Sequence, residues 1–369
     1  MKFIYKVSPN NNDQASTEKI MLELLACLGL VYIAGVVRCF GQGTTYGINA
    51  IVLMVVSLVC GLLSEVVYAY AMKIKDIKDY VLHSYGWITC VILVLCVKPD
   101  VSPYAVAIST IVGLVFGKLV YGGFGQNVFN PAGVGRAVLA TSFASATIAD
   151  AITGSTVTSA LSSNGWLMDS TAFNQFLNTY GGLGNILLGN YNGAIGETFT
   201  LLLIVCAIYL GYREVIDWRI PLTYIGVMFV GTLVIGLTHG LGIEYPLAFI
   251  STGGIALGGV FMLTDPVTCP NTRPGRLVFA AFAALCTTLI RFFGSLPEGV
   301  VFSILLANMV TPVIEKIFEG NQLTNHKRNV TIALCFVAAV AIIVALCGIG
   351  LPISDEEAAI SVVKVLEVL

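Results

Sequence analysis

The most specific chemical signal in the sequence is a hydroxyl-rich segment at residues 150–159. It reads Asp-Ala-Ile-Thr-Gly-Ser-Thr-Val-Thr-Ser. Gly154 and Ser155 leave the approach to the next hydroxyl unobstructed, because neither carries a bulky side chain. A threonine hydroxyl in this setting can accept a phosphoester. Hydroxyl-rich stretches with one glycine are also common in ordinary loops, and that alternative stays open at this point.

A second segment, at residues 122–132, combines helix-breaking residues with side-chain amides. Three glycines and Pro131 interrupt any helix there, while Gln126, Asn127 and Asn130 offer donors and acceptors. Non-helical chain at membrane depth is tolerated only where it lines protein or a cavity. The segment therefore predicts a cofactor or ion site, with a glycine-rich hinge as the alternative.

The composition places both segments in a membrane protein. Of the 369 residues, 57% are hydrophobic and only 11% are charged, too few polar side chains to coat a soluble globule. The formal net charge of -2 leaves no basic field for a nucleic-acid backbone, which excludes DNA and RNA binding. None of the ten cysteines forms a CxxC pair, and no histidine has metal-ligand spacing, so the sequence predicts no metal site within this chain alone.

Apolar runs near the length of a membrane-spanning helix recur eleven times. The sequence therefore predicts an all-α polytopic membrane protein with about ten to eleven transmembrane helices. These runs lie at 20–40, 46–72, 83–97, 104–121, 130–148, 197–212, 219–238, 246–263, 276–294, 298–317 and 329–350.

The distribution of lysine and arginine predicts the orientation. With a cytoplasmic amino terminus, fifteen of the 19 basic residues fall inside and four outside. No lysine or arginine occurs from Ala137 to Tyr212, which predicts an irregular loop on the outer face. The expected parts are a cytoplasmic arm at 1–19, a first transmembrane half at 20–148, the outer loop at 149–196, a second half at 197–317 and an extra C-terminal helix at 329–350.

The hydroxyl-rich segment resembles the flavinylation motif D-x-x-[ST]-G-[AS]-T. In proteins that bear it, a flavin transferase joins the phosphate of FMN to the last threonine. The match implies covalent FMN on Thr156, with Asp150, Thr153, Gly154 and Ser155 as the recognised residues. Ser155 stands where alanine is usual.

Several further blocks, in order, resemble one family, which comprises the D subunit of the Rnf electron-transport complex and the B subunit of the sodium-translocating NADH:quinone reductase. The resemblance spans about residues 20–317, and the short amino-terminal arm fits the Rnf protein better. The blocks are 122–132, Gly196-Glu197-Thr198, Trp218-Arg219-Ile220-Pro221, 261–268, Pro297-Glu298-Gly299-Val300 and Thr311-Pro312.

The resemblance implies two inverted five-helix halves of the urea-transporter type; the helix at 329–350 exceeds the usual ten. It implies electron transfer between ferredoxin and NAD, coupled to movement of Na+ or H+. A second, noncovalent flavin, riboflavin, is expected near residues 122–130. The implied partners are the A and E membrane subunits of an Rnf-type complex, its G flavin subunit, its B and C iron–sulfur subunits, and the flavin transferase.

The expected cofactor contacts beyond the attachment motif come from the glycine-rich segment and the later blocks. They are Gly123, Gln126, Asn127, Asn130, Arg136, Glu197, Thr198 and Asp265. The chain has no nucleotide-binding fingerprint, so NADH and ferredoxin are expected on partner subunits.

Four isolated carboxylates remain. Glu197 and Glu298 are predicted to lie in the first turns of their helices, where a carboxylate complements the helix dipole. Glu23 and Glu65 lie near cytoplasmic helix ends, where snorkelling or a lysine partner explains them. The rival function is a secondary transporter or channel without redox chemistry, because broken helices also occur in permeases. The segment at 150–156 argues against it, since a permease needs no flavin attachment loop.

Overall fold

The computed structural model describes residues 16–148, 156–294, 298–320 and 325–349. In this part of the chain there are sixteen α-helices and no β-strand, only an isolated bridge between Val101 and Thr147. The all-α prediction is confirmed.

Six helices precede residue 149, and most begin where the sequence supplies a helix start. Asn130 accepts a hydrogen bond from the amide of Gly133, and Pro131 occupies the first helical position after it. A short 3-10 helix, Leu119–Tyr121, precedes the glycine-rich segment. The helices are α1 (Thr17–Gln42), α2 (Thr44–Ala71), α3 (Ile77–Ser84), α4 (Gly86–Leu95), α5 (Pro103–Gly117) and α6 (Pro131–Ser142).

The predicted span at 83–97 is a shorter helix than expected. Tyr85 adopts a left-handed backbone conformation (φ 54°) and separates the polar helix α3 from the apolar helix α4. The apolar run alone did not indicate this break, because tyrosine rarely adopts positive φ.

The loop predicted to be irregular contains three short helices, α7 (Val157–Ser163), α8 (Ser170–Thr179) and α9 (Leu183–Leu188). The prediction of irregular chain was wrong for these residues. Asp169 caps α8, and this helix buries Phe173, Phe176 and Leu177 at helical spacing.

The remaining helices run from residue 200 to 349. A five-residue π-helix, Gly258–Met262, continues directly from α13. The helices are α10 (Thr200–Tyr212), α11 (Arg219–Thr238), α12 (Glu244–Ser251), α13 (Ile255–Leu257), α14 (Arg273–Phe293), α15 (Val300–Ile317) and α16 (His326–Ile349).

Seven described helices are long and apolar enough to cross a membrane, or eight if the pair Glu244–Ser251 and Ile255–Met262, bent by 68°, forms one span. The chain is thus a multi-pass membrane protein. The count of ten to eleven spans and the inverted halves stay predictions.

The C-terminal helix α16 packs on its own chain, against α11 and α14. A Cβ atom at Gly231 of α11 would lie 2.2 Å from Val344 Cγ1. The absence of a side chain at Gly231 therefore lets the two helices approach closely.

Candidate functional sites

Thr156 is the one residue of the flavinylation motif that falls within the described residues; Asp150, Thr153, Gly154 and Ser155 lie outside them. Thr156 caps α7, because its Oγ1 accepts a hydrogen bond of 3.1 Å from the amide of Ser159. The two hydroxyl oxygens are 2.7 Å apart. This geometry fixes the Thr156 side chain at the start of a helix.

A cavity of about 300 Å³ borders Thr156, and we call it the Thr156 cavity. Its wall includes an ammonium, a carboxylate, amides and a phenol, which together offer both donors and acceptors. The lining residues are Gln42, Tyr46, Lys98, Pro99, Asp100, Thr156, Asn192 and Gly193.

Hydrogen bonds hold two walls of the Thr156 cavity in place. Asn49 Nδ2 donates to the carbonyls of Pro99 (2.7 Å) and Val101 (2.9 Å). Gln42 Nε2 donates to Asn192 Oδ1 at 2.6 Å. These lining residues are far from 150–156 in the chain and carry no motif, so the sequence did not predict them.

A second cavity, of about 100 Å³, lies at the start of α6, and we call it the Asn130 cavity. It brings together two segments that the sequence singled out separately, 122–132 and 261–268. The aromatic rings of Tyr85 and Phe124 also line it, 5.1 Å apart. Its polar lining is Ser84, Thr89, Lys118, Asn127, Asn130, Thr264 and Asp265.

Hydrogen bonds between the two segments define the Asn130 cavity. Asn130 Nδ2 donates to the carbonyl of Met262 at 3.0 Å, and the Asn130 amide donates to Asn308 Oδ1 at 3.2 Å. Of the other predicted residues, Gln126 is exposed, and Gly123 packs near the hydroxyl of Tyr80. Neither lines this cavity.

An ion pair that the sequence analysis did not identify borders the Asn130 cavity. Lys118 Nζ lies 2.8 Å from Glu65 Oε1, and both side chains are buried. Ser84 Oγ donates to the same carboxylate oxygen at 2.5 Å. Of the two explanations for Glu65, the structure therefore shows the lysine partner. Glu23 instead pairs with Arg213, at 2.5 Å.

The prediction that Glu197 and Glu298 cap helices was wrong. The helices begin at Thr200 and Val300, so neither carboxylate is in a first turn. Glu298 Oε2 instead lies 2.9 Å from Arg136 Nη2. Glu197 is buried beside Thr198, whose Oγ1 has no hydrogen-bond partner within the described residues.

Comparison with known proteins supports the family resemblance of the sequence along most of the chain. The model of the NQR2, RnfD, RnfE family matches residues 4–324. The chain is 34% identical over 327 residues to the D subunit of the proton-translocating ferredoxin:NAD(+) oxidoreductase complex of Clostridium ljungdahlii, covering 85% of this chain and 94% of that one. It is 29% identical over 321 residues to the D subunit of the Na(+)-translocating ferredoxin:NAD(+) oxidoreductase complex of Acetobacterium woodii, covering 84% and 91%.

A third relative has a more general name. The D subunit of the ion-translocating oxidoreductase complex of Ectopseudomonas mendocina is 30% identical over 344 residues, covering 87% of this chain and 96% of that one. The family match also contains Thr156 and both segments of the Asn130 cavity. This chain therefore belongs to the NQR2, RnfD, RnfE family.

Proposed function

We propose that this chain is the D-type membrane subunit of an ion-translocating ferredoxin:NAD oxidoreductase and that it carries FMN esterified to Thr156. Relatives with that activity in their names align with 84–85% of the chain. The observation that carries the flavin assignment is that Thr156, the last residue of the motif, borders a cavity.

The residues around the Thr156 cavity fit a flavin nucleotide. A volume of about 300 Å³ is at the lower end of the range for small-molecule sites. Lys98 is the basic residue in the lining and supplies a point charge for the phosphate. The amides of Gln42 and Asn192 and the phenol of Tyr46 suit the polar edge of the ring. Bound FMN would supply reversible electron transfer, while this chain holds it and sets its surroundings.

The cap at Thr156 is compatible with esterification. Oγ1 uses a lone pair to accept from the Ser159 amide, and an ester oxygen keeps a lone pair for that bond. The helix start would therefore orient the attached group, and α7 need not unfold to carry it.

For a second, noncovalent flavin, the Asn130 cavity has a suitable donor set in Asn127 and Asn130. Its volume of about 100 Å³ holds only part of an isoalloxazine ring. We infer that Asn127 and Asn130 would hold the polar edge of the ring and that Tyr85 and Phe124, which line the same cavity, would contact its apolar part.

The remaining assignments come from the family. The coupled ion is H+ or Na+, since the relatives' names include both. The partners are the A and E membrane subunits, the G flavin subunit, the B and C iron–sulfur subunits, and a flavin transferase for maturation. The family places the chain in a prokaryotic cytoplasmic membrane, and the distribution of lysine and arginine supports an amino terminus inside and Thr156 outside.

The test is electron transfer by the purified complex in sealed vesicles. Reduced ferredoxin and NAD are added to the parent, to Thr156→Ala and to a control, Thr179→Ala. The control changes an exposed threonine of α8. We expect at least a tenfold loss of NADH formation and of the ion gradient in Thr156→Ala alone. Solute uptake that needs no ferredoxin, with Thr156→Ala as active as the parent, would support the rival transporter.

A further inference from the structure

Two consecutive glycines bring a buried carboxylate, a buried arginine and the segment after Thr156 to one point. Gly253 has φ 68° and lies in the break between α12 and α13. A Cβ atom there would lie 2.7 Å from Arg291 Nη2 and 3.3 Å from Thr158 Oγ1. A Cβ atom at Gly254 would lie 2.9 Å from Glu197 Oε1. The three polar groups therefore surround the same backbone.

The guanidinium of Arg291 is fixed and fully buried, with a side chain that is 0% exposed. Its Nη1 donates to the carbonyl of Phe249 at 2.9 Å, and its Nη2 donates to that of Thr252 at 2.8 Å. The aromatic rings of Trp166 and Phe249 lie 4.9 and 4.8 Å from it. Carbonyl dipoles and ring faces stabilise a positive charge there.

Two arginines and two carboxylates thus interact, of which Arg291 and Glu197 are buried and Arg136 and Glu298 are half-buried. Arg136 pairs with Glu298 at 2.9 Å, and Arg291 and Glu197 complete the set, which is neutral when all four are ionised. We call these four residues the charge cluster.

Among the described residues Glu197 differs from Glu298 in having no ion pair. Within the described residues, no lysine or arginine nitrogen lies within 4.0 Å of its carboxylate. A buried carboxylate without a close partner is the member whose charge is least stabilised. The other charged or titratable groups that face it are Arg136, Arg291, Lys98, Glu298, Tyr191 and Cys96.

We propose that Glu197 binds one proton when an electron reaches the Thr156 cavity and releases it when the electron leaves. This inference rests on the proposed flavin at Thr156. The electron comes from a reduced iron–sulfur protein through the complex, and the proton comes from water. With Glu197 ionised the four charges cancel, so an added electron leaves one uncompensated negative charge. A proton on Glu197 restores neutrality where the low dielectric makes charge imbalance costly.

The test compares the purified parent complex with Glu197→Gln and with the control Glu23→Gln, which removes a carboxylate paired at a helix surface. The first readout is the dependence on pH of the midpoint potential of the covalent flavin. We expect the slope to fall by at least half in Glu197→Gln and to stay at the parent value in Glu23→Gln. The second readout is the reduced-minus-oxidised infrared spectrum. A protonated-carboxyl band should appear on reduction of the parent and be absent in Glu197→Gln.

Several outcomes would overturn the proposal. If Glu197→Gln keeps both the pH slope and the carboxyl band of the parent, Glu197 is not the proton acceptor. Absence of the carboxyl band in the parent itself would lead to the same conclusion. If Glu197→Gln does not assemble, Glu197→Asp should keep both the slope and a shifted band, and loss of both would contradict the proposal. A parent without covalent flavin overturns the proposed function first and this inference with it.

Discussion

The side-chain amide of Asn127 donates a hydrogen bond of 3.3 Å to Asp265 Oδ2, 138 residues further along the chain. The same carboxylate accepts from the amide of Val267 at 3.2 Å and from the hydroxyl of Thr268 at 3.3 Å. The glycine-rich segment is therefore tied to the chain that follows the π-helix, and Asn127 and Asp265 face one cavity.

Replacement of Asn127 by leucine should lower the noncovalent flavin content of the complex by at least half and leave covalent flavin unchanged. Leucine keeps the size of the side chain but removes the amide that the polar edge of the ring needs. The measurement is the ratio of extractable to covalent flavin, with Gln175→Leu, at an exposed position of α8, as control. An unchanged ratio with normal turnover would return residues 122–132 to the hinge alternative.

Replacement of Gly113 by alanine should destabilise the crossing of α5 and α6. A Cβ atom there would lie 2.8 Å from the carbonyl oxygen of Pro131 and 2.9 Å from Gly135 Cα, both backbone atoms. We expect a loss of about 1–3 kcal/mol in the free energy of unfolding, measured by denaturant titration. Gly29→Ala is the matched control, since nothing lies within 4 Å of its Cβ position. Equal stability of the two variants would contradict the close crossing.

The sequence predicted the helical class, because long apolar runs have few other ways to satisfy their backbone in a membrane. It did not predict where helices break. The run at 246–263 contains Gly253 and Gly254, and the helices on either side of them are bent by 68°. Because glycine is also tolerated inside membrane helices, these two residues did not indicate the bend in the sequence.

The candidate sites were predicted only as separate segments. Motif spacing identified Thr156 and the amides of Asn127 and Asn130, but the sequence alone did not pair either segment with its neighbours in space. Lys98 lines the Thr156 cavity, and Lys118 pairs with Glu65. Both arrangements involve residues far apart in the chain, which only the folded structure brings together.

The orientation is tested by cysteine labelling with an impermeant reagent in intact cells, on a background without reactive native cysteines. Lys75 and Asn174 are both exposed and suit the label. Because basic residues favour the cytoplasmic side, we expect Asn174→Cys to react and Lys75→Cys to remain unlabelled until the membrane is opened. The opposite pattern would invert the topology.

Asp217 should contribute stability that disappears in acid. Burial raises the pKa of this carboxyl, but hydrogen bonds from Arg276 (2.5 Å) and Arg219 outweigh burial and hold the pKa below its ordinary value. The folded state therefore binds its proton less readily than the unfolded state does. The contribution is complete above about pH 4, the ordinary range of an aspartate, and is lost as the pH falls through the lowered pKa.

The matching variant is Asp217→Asn. At pH 7 it should be less stable than the parent by about 1.5–3 kcal/mol, the range for hydrogen bonds to charged groups. Thermal unfolding of the two proteins from pH 7 to pH 3 should show this difference shrinking at the acid end. A difference that is the same at both pH values would show that the carboxylate charge plays no part.

The most direct test of the proposed function is whether flavin is bonded to Thr156. The purified chain is denatured, separated by electrophoresis, examined for flavin fluorescence and digested for peptide mass. We expect a fluorescent parent band with FMN on the peptide containing Thr156, and no fluorescence in Thr156→Ala at equal protein. Thr158→Ala should stay fluorescent. A fluorescent band that persists in Thr156→Ala would contradict the assignment and move it to Thr158 or Thr153.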